Sequence, residues 1–377
     1  MSEYFNPVRL AFGDKALSLL PALLKSMPES AGRVLLLTRG GDLPASPEYQ
    51  SLLAGLAPWK PAELHVELAN PDVADLPGLL KAAQNPDLVI AIGGGTVLDL
   101  AKALCAFRNQ SLPDTEAARA AITAHRYGEN PSLGAWIGIP TTSGTGSEVT
   151  QWAAFWDRER GLKYSIDHPR LFARAAVIDP RLTLGLPLRA TVATSFDALC
   201  HAVESYWSRP SNAVSRLHSL EAVRRMVSSL PALLRDPRDL SLRGEVAMAS
   251  LHAGLAFSST RTTACHSISY PLTLGCGIEH GVAVCLTLGA VLARNEPALI
   301  EKDKLFAAFG AADVPGVRAV LDGLFTPAGL SPRLRDHGVS ESDLPGLAER
   351  SHTKGRMDNN PVDLTREDVE QILREVF

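Results

Sequence analysis

In the first half of the chain, short apolar β-rich runs alternate with amphipathic helical stretches, and the alternation stops near residue 184. Residues 34–38 (VLLLT), 63–68 (ELHVEL), 87–93 (DLVIAIG), 135–140 (AWIGIP) and 175–179 (AAVID) read as buried strands, each bounded by Gly, Pro or Asp. Strands interleaved with helices predict a mainly parallel sheet covered by helices. After DPRLTLGLP at 179–187 only helical periods follow, at 191–207, 215–234, 243–259 and 367–377. A chain of 377 residues exceeds what one core usually supports. The expected architecture is therefore an α/β domain over 1–184 followed by an all-α domain over 185–377.

Composition narrows the partners. The net charge of −4 and the lack of Lys/Arg runs interleaved with aromatics argue against nucleic acid. No uncharged apolar run reaches the length of a membrane span, and the first residues lack the basic-then-apolar order of a signal peptide. The 5 cysteines include no CxxC pair and form no even framework, which points to free thiols and a cytoplasmic setting.

The chemistry gathers in the second half. In FDALCHAVESYW, Asp197 and His201 stand four residues apart, on one face of the expected helix. An isolated pair of this kind is more often a salt bridge. Here His266 and His280 follow in ACHSISYPLTLGCGIEHG, inside apolar segments of a chain with only 10 histidines. Buried imidazoles need partners, and a cation supplies one. One carboxylate and three imidazoles suit ferrous iron or zinc and leave a position for a substrate oxygen. Cys200 and Cys265, adjacent to two of these histidines, point away from them on a helix and read as core.

Two glycine-rich loops in the first half carry a second signal. The strand ending in Gly93, Gly94 and Gly95 runs into TVLDLAKAL, which places bare amides at a helix N-terminus where a phosphate approaches closely. This departs from the GxGxxG fingerprint, and a tight strand-to-helix turn accounts for it equally well. The loop IPTTSGTGSEVT at 139–150 again leaves a strand and offers Thr141, Thr142 and Thr145. Two such loops after neighbouring strands fit a dinucleotide across the strands' carboxyl ends. Arg39 after VLLLT, with no acid directly following, favours NADPH over NADH, although Asp42 lies near.

GGGTVLDLAKAL, PTTSGTGSE, FDALCHAVESYW and the two downstream histidines, in this order across nearly the whole chain, resemble the iron-containing (group III) alcohol dehydrogenases. The resemblance implies a dehydroquinate synthase-like fold: an α/β N-terminal nucleotide-binding domain, an all-helical metal-binding domain, and an active site in the cleft between them. It implies Asp197, His201, His266 and His280 as metal ligands, Fe2+ preferred and Zn2+ accepted. It also implies that Gly94, Gly95, Thr96, Thr141, Thr142 and Thr145 hold the cofactor, with Asp99 and Lys102 on the intervening helix, and that the protein is a homodimer.

Within that family WDRERGLKYS (156–165), HAVESYWS (201–208) and HSISYPLT (266–273) are similar to the phosphonoacetaldehyde reductases, also called 2-hydroxyethylphosphonate dehydrogenases. Many family members carry another histidine four residues after the third ligand, where this chain has Tyr270. A phenol there either meets the substrate or packs. A phosphonate demands cationic partners, for which Arg261, Lys163 and Arg356 are candidates, Arg261 foremost because it lies one to two helical turns ahead of His266. Lys163 is alternatively a cofactor contact, Asn359 and Asn360 are candidates to line the nicotinamide side of the cleft, and Asn360 is also a phosphonate candidate. The expected reaction is NAD(P)H-dependent reduction of a small aldehyde to a primary alcohol. A generic alcohol or lactaldehyde dehydrogenase is the alternative, as is a dehydroquinate synthase-like lyase, which would show no net cofactor turnover.

Overall fold

A computed structural model describes residues 3–68 and 70–377, and their contacts divide the chain into two compact units. One holds Asn6–Thr142 and Ser147–Thr183; the other holds Leu184–Phe377 together with residues 3–5 and Ser143–Gly146.

The first unit contains β1 (Arg9–Phe12), β2 (Val34–Arg39), β3 (Ala62–Val66), β4 (Leu88–Gly93), β5 (Ala135–Pro140), β6 (Trp152–Asp157), β7 (Leu162–Asp167) and β8 (Ala175–Ile178). Its helices are α1 (Leu20–Lys25), α2 (Pro47–Leu56), α3 (Leu76–Ala83), α4 (Gly95–Ala106) and α5 (Thr115–Thr123). A six-stranded parallel sheet runs in the order β1-β8-β5-β4-β2-β3. β4 and β5 are buried along their whole length, which is why they are continuous apolar runs rather than alternating ones. On one face Leu36, Ile90 and Ile137 pack with Leu20, Leu24 and Leu52 from α1 and α2.

The expected strands are present with ends displaced by one or two residues, and two elements were not expected. β1 has only four residues, RLAF, at the sheet edge, too short to show a period. β6 and β7 form an antiparallel hairpin that reverses through Gly161 at φ 64°. The chain steps from β2 outward to β3 and returns to β4 on the other side of β2. The order reverses there, so the carboxyl ends of β2 and β4 flank the crevice where parallel α/β sheets take ligands.

The second unit is helical: α6 (Leu188–Trp207), α7 (Ala213–Arg235), α8 (Leu240–Phe257), α9 (Ala264–Cys276), α10 (His280–Asn295), α11 (Lys302–Ala308), α12 (Val314–Phe325), α13 (Leu344–Glu349) and α14 (Arg366–Glu375). α6 is its axis. Phe196, Leu199, Val203 and Tyr206 pack in the core, polar residues such as Ser195, Asp197 and Glu204 are buried with them, and the helix lies against α7, α8 and α10. Capping boxes at Asn212/Ser215 and Thr365/Asp368 start α7 and α14.

Ser143–Gly146 lies between β5 and β6 in sequence yet packs with the helices. Gly146 has φ +57°, and a Cβ there would stand 2.5 Å from Gly254 Cα on α8. Among the described residues no helix is long and apolar enough to cross a membrane.

Candidate metal centre and nucleotide site

Asp197 and His201 share one face of α6, as i and i+4 spacing dictates; α9 adds His266 and the first residue of α10 adds His280. Asp197 Oδ1 is the focus. His266 Nε2 lies 3.3 Å from it, His201 Nε2 3.6 Å and His280 Nε2 4.0 Å. Asp197, His201 and His266 are buried, and their ligand atoms lie within 4.8 Å of one another. The His201 and His266 rings stack at 4.6 Å, with Phe257 against the other face of His201 at 4.1 Å.

The residues fit a metal ion. Asp197 Oδ1 and His266 Nε2 are buried without a hydrogen-bond partner, although orphaned polar atoms of this kind are costly. Ligand bonds of about 2.1 Å put neighbouring atoms of a tetrahedral shell roughly 3.4 Å apart, close to the separations around Oδ1. The donor set, one carboxylate and three imidazoles, is that of iron or zinc.

Without an ion the charged groups of the cluster compensate one another. Burial works to raise Asp197, but His201, His266 and His280 outweigh it and hold the carboxyl below the usual carboxylate range. Burial drives His201 down to about 4 against the pull of Asp197. Burial also acts to depress His266, yet Glu204 and Asp197 prevail and hold it up at about 9. Glu204, fully buried, meets His266 Nδ1 and is itself held below its ordinary range, burial being overcome by His266. Ser269 Oγ stands 3.3 Å from His280 Nδ1. Glu204 was not singled out from the sequence, although residues 197, 201 and 204 fall on one helical face.

In the α/β unit, Gly94 is the N-cap of α4, and no side chain caps that helix. A helix start without a side-chain cap is where an anion binds. Thr141 N donates to Gly93 O at 3.0 Å, and Thr142 packs against Gly94, where a Cβ would meet its Cγ2 at 3.2 Å. Gly95 and Thr96 open α4 half-buried. Arg39 ends β2, exposed. These residues gather at the carboxyl ends of β2, β4 and β5. Thr145 belongs to the segment that packs with the helical unit.

Models of two families match, "Iron-containing alcohol dehydrogenase" over residues 7–180 and "Fe-containing alcohol dehydrogenase family, C-terminal" over residues 191–377. The chain belongs to the iron-containing alcohol dehydrogenase family. As such it is an oxidoreductase of the alcohol dehydrogenase and aldehyde reductase type, in a family that works with a divalent metal and NAD(P). It is 34% identical to a phosphonoacetaldehyde reductase from Streptomyces viridochromogenes, over 97% of this chain and 95% of that protein. It is 28% identical to a sulfoacetaldehyde reductase from Bilophila wadsworthia, over 88% of this chain and 87% of that one. Among solved structures, sulfoacetaldehyde reductase from Bifidobacterium kashiwanohense in complex with NAD+ superposes with TM-score 0.86 at 25% identity, covering 100% of this chain and 98% of that chain.

Other expected site residues of this iron-containing alcohol dehydrogenase are distributed as follows. Tyr270 is buried on α9, its ring stacked on His280 at 6.0 Å. Lys163 lies on β7 with Nζ 4.7 Å from the Trp156 ring centre. Arg261 does not lie on a helix ahead of His266: it occupies the loop between α8 and α9 at φ 62°. The Asn359 amide donates to Thr260 O at 2.7 Å and Thr262 O at 3.0 Å, clamping that loop on both sides of Arg261. Arg356 heads the same turn as Asn359, whose N–H donates to Arg356 O at 3.0 Å.

Three expectations are corrected. Asn360 is fully buried, its side chain spent on reciprocal bonds with Asn295 and on Val362 O, so it holds the fold and meets no phosphonate. Lys102 is also fully buried, donating to Ser147 Oγ at 2.7 Å, Thr150 Oγ1 at 3.0 Å and Trp152 O at 2.6 Å, which uses every ammonium proton. Asp99 accepts from Ser147 Oγ at 2.6 Å and Ala154 N at 2.9 Å; it ties the post-β5 turn to α4 rather than offering a free carboxylate.

Proposed function

We propose that this chain reduces phosphonoacetaldehyde to 2-hydroxyethylphosphonate, with NADPH as hydride donor and a divalent ion, Fe2+ or Zn2+, held by Asp197, His201, His266 and His280. The observation that carries the aldehyde chemistry is the convergence of three imidazole Nε2 atoms on Asp197 Oδ1 at 3.3 to 4.0 Å. The substrate is supported by 34% identity across 97% of the chain to a phosphonoacetaldehyde reductase.

When bound, the ion supplies Lewis acidity towards a carbonyl oxygen and NADPH supplies the hydride. The chain's own side chains do the rest. Phe257 stacks on His201, which shields that buried imidazole from water and fixes its ring, and Tyr270 lies beside His280 with ring centres 6.0 Å apart. The Tyr270 hydroxyl exchanges a hydrogen bond with the alcohol or aldehyde oxygen. Arg261, held by the Asn359 clamp, and Arg356 on the adjoining turn receive the phosphonate, whose charges call for a guanidinium fork. Gly94, Gly95, Thr96, Thr141 and Thr142 bind the pyrophosphate at the start of α4, with Thr145 and Lys163 towards the nicotinamide and Arg39 at the 2'-phosphate.

Sulfoacetaldehyde is the second reading, favoured by one sequence relative and one solved structure that carry that name; it presents the same two-carbon aldehyde with a singly charged head. The test is kcat/KM for phosphonoacetaldehyde, sulfoacetaldehyde, acetaldehyde and butyraldehyde. A preference for phosphonoacetaldehyde over the uncharged aldehydes below about tenfold, or roughly 1.4 kcal/mol, is too small for a dedicated anion pocket and sinks the proposal.

A further inference from the structure

Glu204 is fully buried on α6, and both its oxygens are committed to the first turn of α9. Oε2 meets His266 Nδ1, while Oε1 accepts from Thr263 Oγ1 at 2.8 Å, Cys265 N at 2.7 Å and His266 N at 3.4 Å. Trp207 Nε1 donates in turn to Thr263 Oγ1 at 2.8 Å. No side chain of its own caps α9, so a carboxylate from another helix satisfies its orphan amides and complements its dipole.

We infer that Glu204 is the positioning residue of the metal centre, fixing the tautomer of His266 and locking α9 to the helix that carries Asp197 and His201. This rests on the reading of Asp197, His201, His266 and His280 as metal ligands. A carboxylate accepts and cannot donate, so Nδ1 keeps its proton, and the proton that a divalent ion displaces is the one on Nε2, the nitrogen facing Asp197 Oδ1. The opposite tautomer would put a proton where an ion must sit. Charge agrees as well. With neutral imidazoles, Asp197 and Glu204 supply two negative charges, which a divalent cation balances; among the described residues the ion-pair partners of both are imidazoles only.

Glu204→Gln separates the two tasks. The amide oxygen still accepts from Cys265 N and Thr263, so the cap survives, whereas the amide nitrogen donates towards Nδ1 and favours the wrong tautomer. Zn2+ is titrated calorimetrically into the full chain after chelator treatment, and Co2+ is followed by its visible absorption. The expected result is about 10–100-fold weaker binding by the variant, with the Tm of the metal-free proteins nearly equal. Binding by the variant within threefold of a wild type that takes one ion overturns the inference and leaves the metal site standing. Failure of the wild type to bind either ion overturns both. If Glu204→Gln does not fold, Glu204→Asp, its carboxylate withdrawn by one methylene from Nδ1, must bind at least fivefold more weakly; unchanged affinity overturns the inference.

Discussion

Asp197 Oδ1 and His266 Nε2 stand 3.3 Å apart in the interior of the helical unit, and neither has a hydrogen-bond partner. Two opposed polar atoms left in this state destabilise a fold unless something shared lies between them. Asp197→Asn keeps the shape and removes the charge. The purified variant should retain little metal after dialysis, and kcat/KM should fall on the order of 10^3, the several kcal/mol that a Lewis acid contributes. Full metal content in the variant would contradict the assignment.

Gly281 makes the approach of His280 possible. A Cβ at that position would lie 1.8 Å from Ala193 O and 3.1 Å from Asp197 Cβ, and the first of these is backbone that has no room to yield. Gly281→Ala must therefore push the start of α10 off α6, carrying His280 away from Asp197. The expected cost is at least 1–3 kcal/mol, the usual order of overpacking, together with weaker metal binding. Gly323 on α12 is the control, exposed and with nothing within 4 Å of an added Cβ. Gly323→Ala should stabilise by about 0.5–1 kcal/mol, so a comparable Tm for the two variants would rule out the steric argument.

What the sequence makes legible is what local spacing encodes. Asp197 and His201 are one helical turn apart, and the runs at β2, β4, β5 and β8 are apolar because a covered parallel sheet buries both faces. Glu204 escapes such a reading because its partner His266 lies 62 residues away, and a lone glutamate one turn after His201 reads equally as a solvated side chain until α9 is placed. Nor does the glycine-rich look of the loop at 139–150 show that Gly144 and Gly146 pack against helices: a Cβ at Gly144 would stand 2.5 Å from Thr194 Cβ. The helical placement of Arg261 and the site role of Asn360 failed for a similar reason, since loop geometry and a buried amide pair are tertiary facts.

Glu148 gives the chain a stability signature in pH. Its carboxyl is buried, and burial raises it from 4.5 to about 7 although Lys102 pulls downward. Between those values the folded chain keeps a proton that the unfolded chain has lost. The contribution is fully present below about 4.5 and is lost as pH rises through about 7, at roughly 1.4 kcal/mol per pH unit at most. Glu148→Gln cannot titrate. Urea midpoints at pH 5 and pH 7.5 should show the variant gaining on the wild type by a few kcal/mol at the higher pH; parallel profiles would count against the raised carboxyl.

Arg39 tests the choice of dinucleotide. It closes β2 at the point where the strand order reverses, exposed and at the carboxyl end of the sheet. A 2'-phosphate carries charge that a guanidinium meets with two parallel hydrogen bonds, and a bare ribose hydroxyl does not. Removing Arg39 should therefore be selective: Arg39→Ala raises KM for NADPH by about tenfold, some 1.4 kcal/mol, while KM for NADH stays within twofold. Glu67 follows β3 and presses on Gly40, where a Cβ would come within 2.7 Å of its Oε1. An acid so close to the end of β2 repels a 2'-phosphate and suits ribose hydroxyls, so it opposes Arg39 in setting the preference. Glu67→Gln should accordingly sharpen selection for NADPH, and the two variants should move the NADPH/NADH ratio of kcat/KM in opposite directions. Equal losses with both cofactors in Arg39→Ala would mean that this arginine supports the loop and reads no phosphate.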